Sequence, residues 1–164
     1  MKILSDRQIR QKIRRLAIEI AEHNFDEAEI ILAGINNAGT AFASLLQEQL
    51  REFSNLEITL TRIILNPADP LGSGIKLEMP LEGVKGKVII VVDDVANTGR
   101  TIFYACKPLM ETLPKKIEVA VLVDRTHKSF PIQVDYVGLS LATTLLEHID
   151  VQMSKVEEFG VFLN

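Results

Sequence analysis

The chain has 164 residues, 47% of them hydrophobic and 24% charged, with a formal net charge of -4. That is the length of one globular domain able to bury a sizeable core, and the negative balance argues against general affinity for nucleic acid. No apolar run reaches bilayer-spanning length, the charged opening at 1–10 is unlike a secretory leader, and the lone Cys106 permits no internal disulfide. The expected setting is therefore a reducing cytoplasm with no membrane partner.

Residues 5–24 carry Ile9, Ile13, Leu16, Ala17, Ile20 and Ala21 at helical spacing, and Ser5 with Gln8 has the signature of a capping box. The other side of this helix gathers Arg7, Arg10, Lys12, Arg14 and Arg15. Such a run is more often a solvated face than a contact for RNA or a partner. A short apolar strand follows at 29–34 and leaves through Gly34-Ile-Asn-Asn-Ala-Gly39 into a helix expected from about Thr40 to Phe53. Thr40 stands where a Walker loop needs lysine, so a nucleoside triphosphatase is rejected. The glycine-bounded turn is either a plain strand-to-helix connection or an anion loop built from backbone amides.

Residues 56–65 read as a strand with Ile58, Leu60 and Ile63 inward. Residues 66–86 then hold three prolines and four glycines. That is loop chemistry, with a short extended piece at 75–77, and it serves either as a binding lid or as a surface excursion. After the central stretch at 88–101, residues 101–113 read as a helix that Pro108 kinks or shortens and Pro114 ends. Strands are expected at 117–124, 132–138 and 149–153, with 160–163 pairing near the last to close a small β-rich flap at the C-terminus. The sum is a single α/β domain over 1–164.

Residues 88–101 organise the rest. Five apolar β-formers, Val-Ile-Ile-Val-Val, suit a central parallel strand covered on both faces, and they run directly into Asp93 and Asp94. Ligands of open α/β sheets bind at such carboxyl ends. The loop beyond offers backbone N–H groups at Thr98, Gly99 and Arg100 and hydroxyls at Thr98 and Thr101, which is an anion site suited to phosphate. Two carboxylates beside it would repel bare polyphosphate, so they are better placed to accept from sugar hydroxyls or to hold a cation through water. Together these parts describe a site for ribose 5-phosphate. The plainer alternative is a buried strand ending in an acidic turn.

At these residues the stretch resembles the phosphoribosyl pyrophosphate (PRPP) motif of type I phosphoribosyltransferases. The resemblance extends through Ile3-Leu-Ser-Asp-Arg-Gln-Ile-Arg10, Leu32-Ala-Gly-Ile35, Ile58-Thr-Leu-Thr-Arg62, Val121-Leu-Val-Asp-Arg-Thr-His127 and Asp135-Tyr-Val-Gly138 to the pyrimidine-operon attenuation protein/uracil phosphoribosyltransferase family, usually called PyrR. It implies the type I phosphoribosyltransferase fold, a central, mainly parallel sheet flanked by helices. It implies Asp93 and Asp94 as the catalytic acid pair, contacting ribose and holding Mg²⁺ through water. PRPP would be held by Asp93, Asp94, Val95, Ala96, Asn97, Thr98, Gly99, Arg100 and Thr101. Pyrophosphate would lie on Asn36, Asn37, Ala38, Gly39 and Arg62, and the base beside Arg125, Val137 and Gly138. The implied activity joins a pyrimidine base, uracil, to PRPP in a homodimer or higher oligomer. The alternative is an RNA-binding pyrimidine regulator that senses nucleotides at the same site with little catalysis.

Four positions depart from the family pattern. Asn37-Ala38 replace the usual Thr-Arg of the pyrophosphate loop, removing a cationic fork opposite the leaving group. Leu139 stands at a common lysine and Ala142 at a usual proline. Asn97 occupies the place where transferases of 6-oxopurines carry an aspartate, and an amide cannot take a proton from a purine at neutral pH.

Overall fold

The structure, a computed structural model, describes residues 1–144 and 146–164. In chain order its elements are β1 (Lys2–Leu4), α1 (Asp6–His23), β2 (Glu29–Ile35), α2 (Asn36–Phe53), β3 (Glu57–Ile64) and β4 (Lys76–Leu77). These are followed by β5 (Val88–Ala96), α3 (Arg100–Ala105), β6 (Lys116–Arg125), β7 (Tyr136–Leu141), β8 (Ile149–Gln152) and β9 (Gly160–Leu163). A six-stranded sheet has the order β4-β3-β2-β5-β6-β7, parallel throughout except for the antiparallel β4. A second, antiparallel sheet has the order β1-β9-β8.

Alternation along the two central strands explains their unbroken apolar sequence. Ile30 and Leu32 of β2 with Val88, Ile90 and Val92 of β5 face the side covered by α1 and α2. Ile31, Ala33, Ile35, Ile89 and Val91 face the opposite side, under α3 and residues 75–84. Each fully buried Leu or Ile removes enough apolar surface to favour folding by about 1.5–3 kcal/mol. After Glu29 at the start of β2, neither strand presents a charged residue until β5 reaches Asp93.

Helix α1 begins at the expected capping box: the Ser5 hydroxyl accepts from Gln8 N–H, and the Gln8 carboxamide oxygen accepts from Ser5 N–H at 2.9 Å. Its apolar stripe, Ile9, Ile13, Leu16, Ala17 and Ile20, is buried. Four of the five cations opposite are engaged within the chain. Arg10 pairs with Asp6 at 2.8 Å and stacks on Phe159. Arg14 stacks on Phe53, Lys12 donates to the Gly138 carbonyl, and Arg15 donates to the carbonyls of Val137 and Gly138.

Several boundaries differ from expectation, each for a local reason. Helix α2 starts at Asn36 rather than near Thr40. Asn36 adopts φ +51°, a left-handed conformation that asparagine tolerates, and its amide is fixed to the backbone of Leu65 at 2.9 and 3.1 Å. The Thr40 hydroxyl donates to the Asn36 carbonyl at 2.6 Å. The stretch 101–113 is not one helix: α3 ends at Ala105 and Pro108 opens a separate 3-10 turn, Pro108–Glu111. The strand expected at 132–138 begins only at Tyr136 and runs on to Leu141, because Asp135 ties itself to Val119 through both backbone and side chain at 2.9 and 2.8 Å.

The long loop at 66–86 is divided. Leu77 and Val84 are buried, β4 pairs with β3, and Leu81–Gly83 forms a 3-10 turn, so the later half closes the sheet edge. The earlier half consists of turns at the surface, with Leu71 58% exposed. The flap also uses the N-terminus, where no strand was expected: β1 lies beside β9, and the amino group of Met1 donates to the Leu163 carbonyl at 2.6 Å. No helix among the described residues is long and apolar enough to cross a membrane.

Candidate functional site

Strand β2 pairs with β3 on one side and β5 on the other, so the chain reverses its direction of winding at the β2/β5 crevice. Such switch points are where open α/β sheets hold ligands. Gly34 pairs with Val92, which sets residues 35–39 beside Asp93 and Asp94. The two glycines of this turn serve close packing: a Cβ on Gly34 would lie 2.4 Å from the Thr40 backbone, and one on Gly39 would lie 2.4 Å from the Val92 carbonyl oxygen.

Asp93 is 9% exposed and accepts from Asp94 N–H at 2.9 Å, while Asp94 accepts from Val95 N–H at 2.8 Å. Burial pushes the Asp93 carboxyl well above the usual carboxylate range, and the neighbouring Asp94 charge pushes it further. The pair thus combines a buried acid with a partly exposed carboxylate that faces the crevice.

Arg62, on β3, donates from one terminal nitrogen to Asn37 Oδ1 at 3.1 Å, and its buried Nε has no hydrogen-bond partner among the described residues. The Glu78 carboxylate stands 3.9 Å from that nitrogen. Asn36, Asn37, Ala38, Gly39 and Arg62 are therefore gathered at one end of the crevice. Asn36, Ala38, Asp93, Asp94, Asn97 and Thr101 share a cleft of about 350 Å³. Residues 95–102 curl around a small hollow, with Gly99 at φ +86° at its turn. The Thr98 hydroxyl accepts from Arg100 N–H at 3.4 Å there.

Beyond Asn97 lies a cavity of about 190 Å³ lined by Asn97, Thr98, Arg125, Thr126, His127 and Thr143. This is below the roughly 300–1,000 Å³ of pockets for drug-sized molecules and suits a single heterocycle. Arg125 spans it as a brace. Its Nε donates to Thr143 Oγ1 at 2.6 Å, one terminal nitrogen to the Thr144 carbonyl at 2.6 Å, and the other to Asn97 Oδ1 at 3.3 Å.

Val137 and Gly138 are not brought to this cavity. They lie inside β7, paired near Val121 and Leu122, and their carbonyls are occupied by Arg15 and Lys12. The resemblance implies a place for them beside the base, whereas the carboxyl end of their strand lies further on, at Leu141. Leu139 faces a groove with Lys12 and Arg15 rather than the cavity.

Sequence reasoning missed Thr126, His127 and Thr143 at the cavity, and His148 and Asp150 in the cleft beside the acid pair. Thr126 and His127 directly follow β6, so the carboxyl-end rule marks them. His148 and Asp150 carry no local signal, because only the fold of the flap sets β8 across from β5.

The phosphoribosyl transferase domain family matches residues 2–155. The bifunctional protein PyrR of Streptococcus pneumoniae strain CGSP14 is 34% identical over 158 residues, 95% of this chain and 91% of that protein. In fold, the chain is similar to a hypoxanthine phosphoribosyl transferase of Trypanosoma cruzi, with a TM-score of 0.79 at 18% identity over 98% of this chain and 90% of that one. It is also similar to a hypoxanthine-guanine phosphoribosyltransferase of Bacillus anthracis, with a TM-score of 0.71 at 22% identity over 85% and 81%. With a crevice, acid pair and hollow laid out on this topology, the chain belongs to the phosphoribosyl transferase domain family, in the PyrR branch.

Proposed function

We propose that the protein joins uracil to PRPP with release of pyrophosphate, forming uridine 5′-monophosphate. The observation that carries this reading is the placement of Asn97 between the acid pair and a cavity of heterocycle size. Its amide can both donate to and accept from the edge of a pyrimidine, and it stands where transferases of 6-oxopurines carry an aspartate.

In this reading the 5-phosphate lies in the hollow at 95–101 and accepts from the N–H groups of Thr98, Gly99 and Arg100. Asp93 and Asp94 fix the ribose hydroxyls, and the diphosphate extends along Asn36, Asn37, Ala38 and Gly39 towards Arg62. The base enters beside Asn97, Arg125 and His127, in line with the anomeric carbon. The bond from base N1 to that carbon forms as the bond to pyrophosphate breaks, and the N1 proton passes to the oxygens of the departing pyrophosphate. Holding both partners in this geometry supplies most of the acceleration. The missing cation at Ala38 leaves Arg62 as the charged group beside the leaving pyrophosphate, and its terminal donors, one of them on Asn37, suit phosphate oxygens.

Mg²⁺ fits the site as an ion shared with substrate. Among the described residues no cluster of three or more His, Cys, Asp or Glu could hold a metal alone. Two adjacent carboxylates with substrate oxygens and water match the habits of this ion, and Asp94 is the more accessible ligand because Asp93 is buried. When bound, the ion neutralises charge gathering on pyrophosphate.

We also read residues 1–164 as one phosphoribosyltransferase domain, since Leu4, Ile149 and Val161 of the flap share a core with α1 and the large sheet. Assembly into a homodimer or higher oligomer, in the cytoplasm, belongs to the same proposal. The rival, an RNA-binding regulator, draws on the similarity to the bifunctional protein PyrR. The engagement of Arg10, Lys12, Arg14 and Arg15 within the chain gives it less support on α1.

Calorimetry of PRPP with Mg²⁺, alongside a search for uridine 5′-monophosphate, tests the proposal. Tight binding lost in Asp94→Asn together with product formation is expected. Binding without product removes the transferase and leaves the sensor.

A further inference from the structure

We infer that Lys128 is a positioning residue that presets the phosphate hollow by pinning the far side of its peptide planes. The inference rests on the transferase reading and names a part of that site which no ligand contact would reveal.

The Lys128 ammonium donates to the Asn97 carbonyl at 3.0 Å, to Asp124 Oδ1 at 2.6 Å and to the Arg125 carbonyl. An ammonium has three protons, and here three acceptors use them. With its side chain only 19% exposed, Lys128 has no donor left for substrate. It is a strut between the end of β6 and the loop after β5.

Two neighbours complete the strut. The N–H groups of Ser129 and Phe130 both donate to the Thr98 carbonyl, at 2.9 and 3.2 Å. The peptide bond is planar and trans, so its C=O and N–H point in opposite directions. The Asn97 carbonyl shares its plane with Thr98 N–H, and the Thr98 carbonyl shares its plane with Gly99 N–H. Anchoring both oxygens on the 128–130 side turns both N–H groups to the other side, where neither has a backbone partner among the described residues. That other side is the hollow lined by residues 95–102. The φ of +86° at Gly99 completes the turn, and a Cβ there would stand 3.1 Å from Ile132 Cβ on the same anchoring segment.

A loop held this way meets phosphate with its donors already aimed, so little ordering accompanies binding. Charge assistance makes the Lys128 bond the strongest of the three anchors on the two carbonyls. Its loss frees the 97–98 plane to rotate while leaving the pyrophosphate end, at residues 36–39, untouched.

The test compares ribose 5-phosphate with pyrophosphate, each titrated alone by calorimetry into the unaltered protein and into Lys128→Met. The variant is expected to lose ribose 5-phosphate affinity by about tenfold or more, with pyrophosphate affinity unchanged within about twofold. In turnover, KM for PRPP rises with little change in kcat. Equal loss of both ligands marks general damage and overturns the inference, and so does retention of both. If Lys128→Met does not fold, Lys128→Gln, which keeps a polar donor without the charge, is judged by the same pair. A wild-type-like response there overturns the inference as well. Failure of the unaltered protein to bind ribose 5-phosphate contradicts the transferase reading itself, a result distinct from any response of the variants.

Discussion

Gly39, in the first turn of α2, lies so close to Val92 that a Cβ would sit 2.4 Å from its carbonyl oxygen. Val92 immediately precedes Asp93, so this contact couples the 36–39 turn to the strand that carries the acid pair. Gly39→Ala forces backbone apart from backbone, and overpacking of this kind typically destabilises by about 1–3 kcal/mol. Urea melts and pyrophosphate calorimetry are expected to show both reduced stability and weakened binding. A variant as stable as the parent means the contact does not set the turn.

Asp93 provides a pH signature. Its carboxyl binds protons more tightly in the folded protein than in the unfolded chain, because burial and Asp94 both oppose its charge. Its contribution to stability is therefore full below the unfolded value of about 4 and is lost as pH rises through the higher folded value. Asp93→Asn removes the buried charge and keeps an oxygen for Asp94 N–H. The ligand-free variant is expected to be more stable than the parent at pH 7–8, with the difference shrinking towards pH 4. Denaturant melts across that range decide; a parent that is the more stable at pH 8 contradicts the assignment.

Arg62 carries the remaining charge at the pyrophosphate end. Arg62→Ala is expected to weaken pyrophosphate binding by about tenfold to a hundredfold, the scale of a hydrogen bond to a charged group. Arg62→Lys is expected to recover little, since a point charge does not reproduce the planar fork. Full recovery by lysine in calorimetry shows that charge alone matters there.

Ser5→Ala serves as the contrast. It deletes half of the reciprocal cap of α1, far from the crevice, and is expected to cost about 1 kcal/mol of stability with turnover unchanged. Altered turnover would place the α1 start in communication with the site.

The central strand and its acidic end were legible in sequence because the run 88–92 is apolar on both faces and Asp93-Asp94 follow without a break. The α1 cap was legible for the same local reason, in Ser5 and Gln8. What failed were features decided at a distance. Asn36 enters α2 because its amide finds the Leu65 backbone, 29 residues on. Val137 and Gly138 stay outside the cavity beside Asn97 because β7 continues to Leu141 beside β6. His148 and Asp150 reach the cleft only when β8 pairs with β9, a contact between distant pieces of chain that no window of sequence reports.

The most direct measurement is a base-transfer assay that offers radiolabelled uracil and hypoxanthine, separately, with PRPP and Mg²⁺. The arrangement of Asn97, Arg125 and the acid pair predicts uridine 5′-monophosphate from uracil and no product from hypoxanthine. Product from hypoxanthine, or none from uracil in a protein that binds PRPP, contradicts the account.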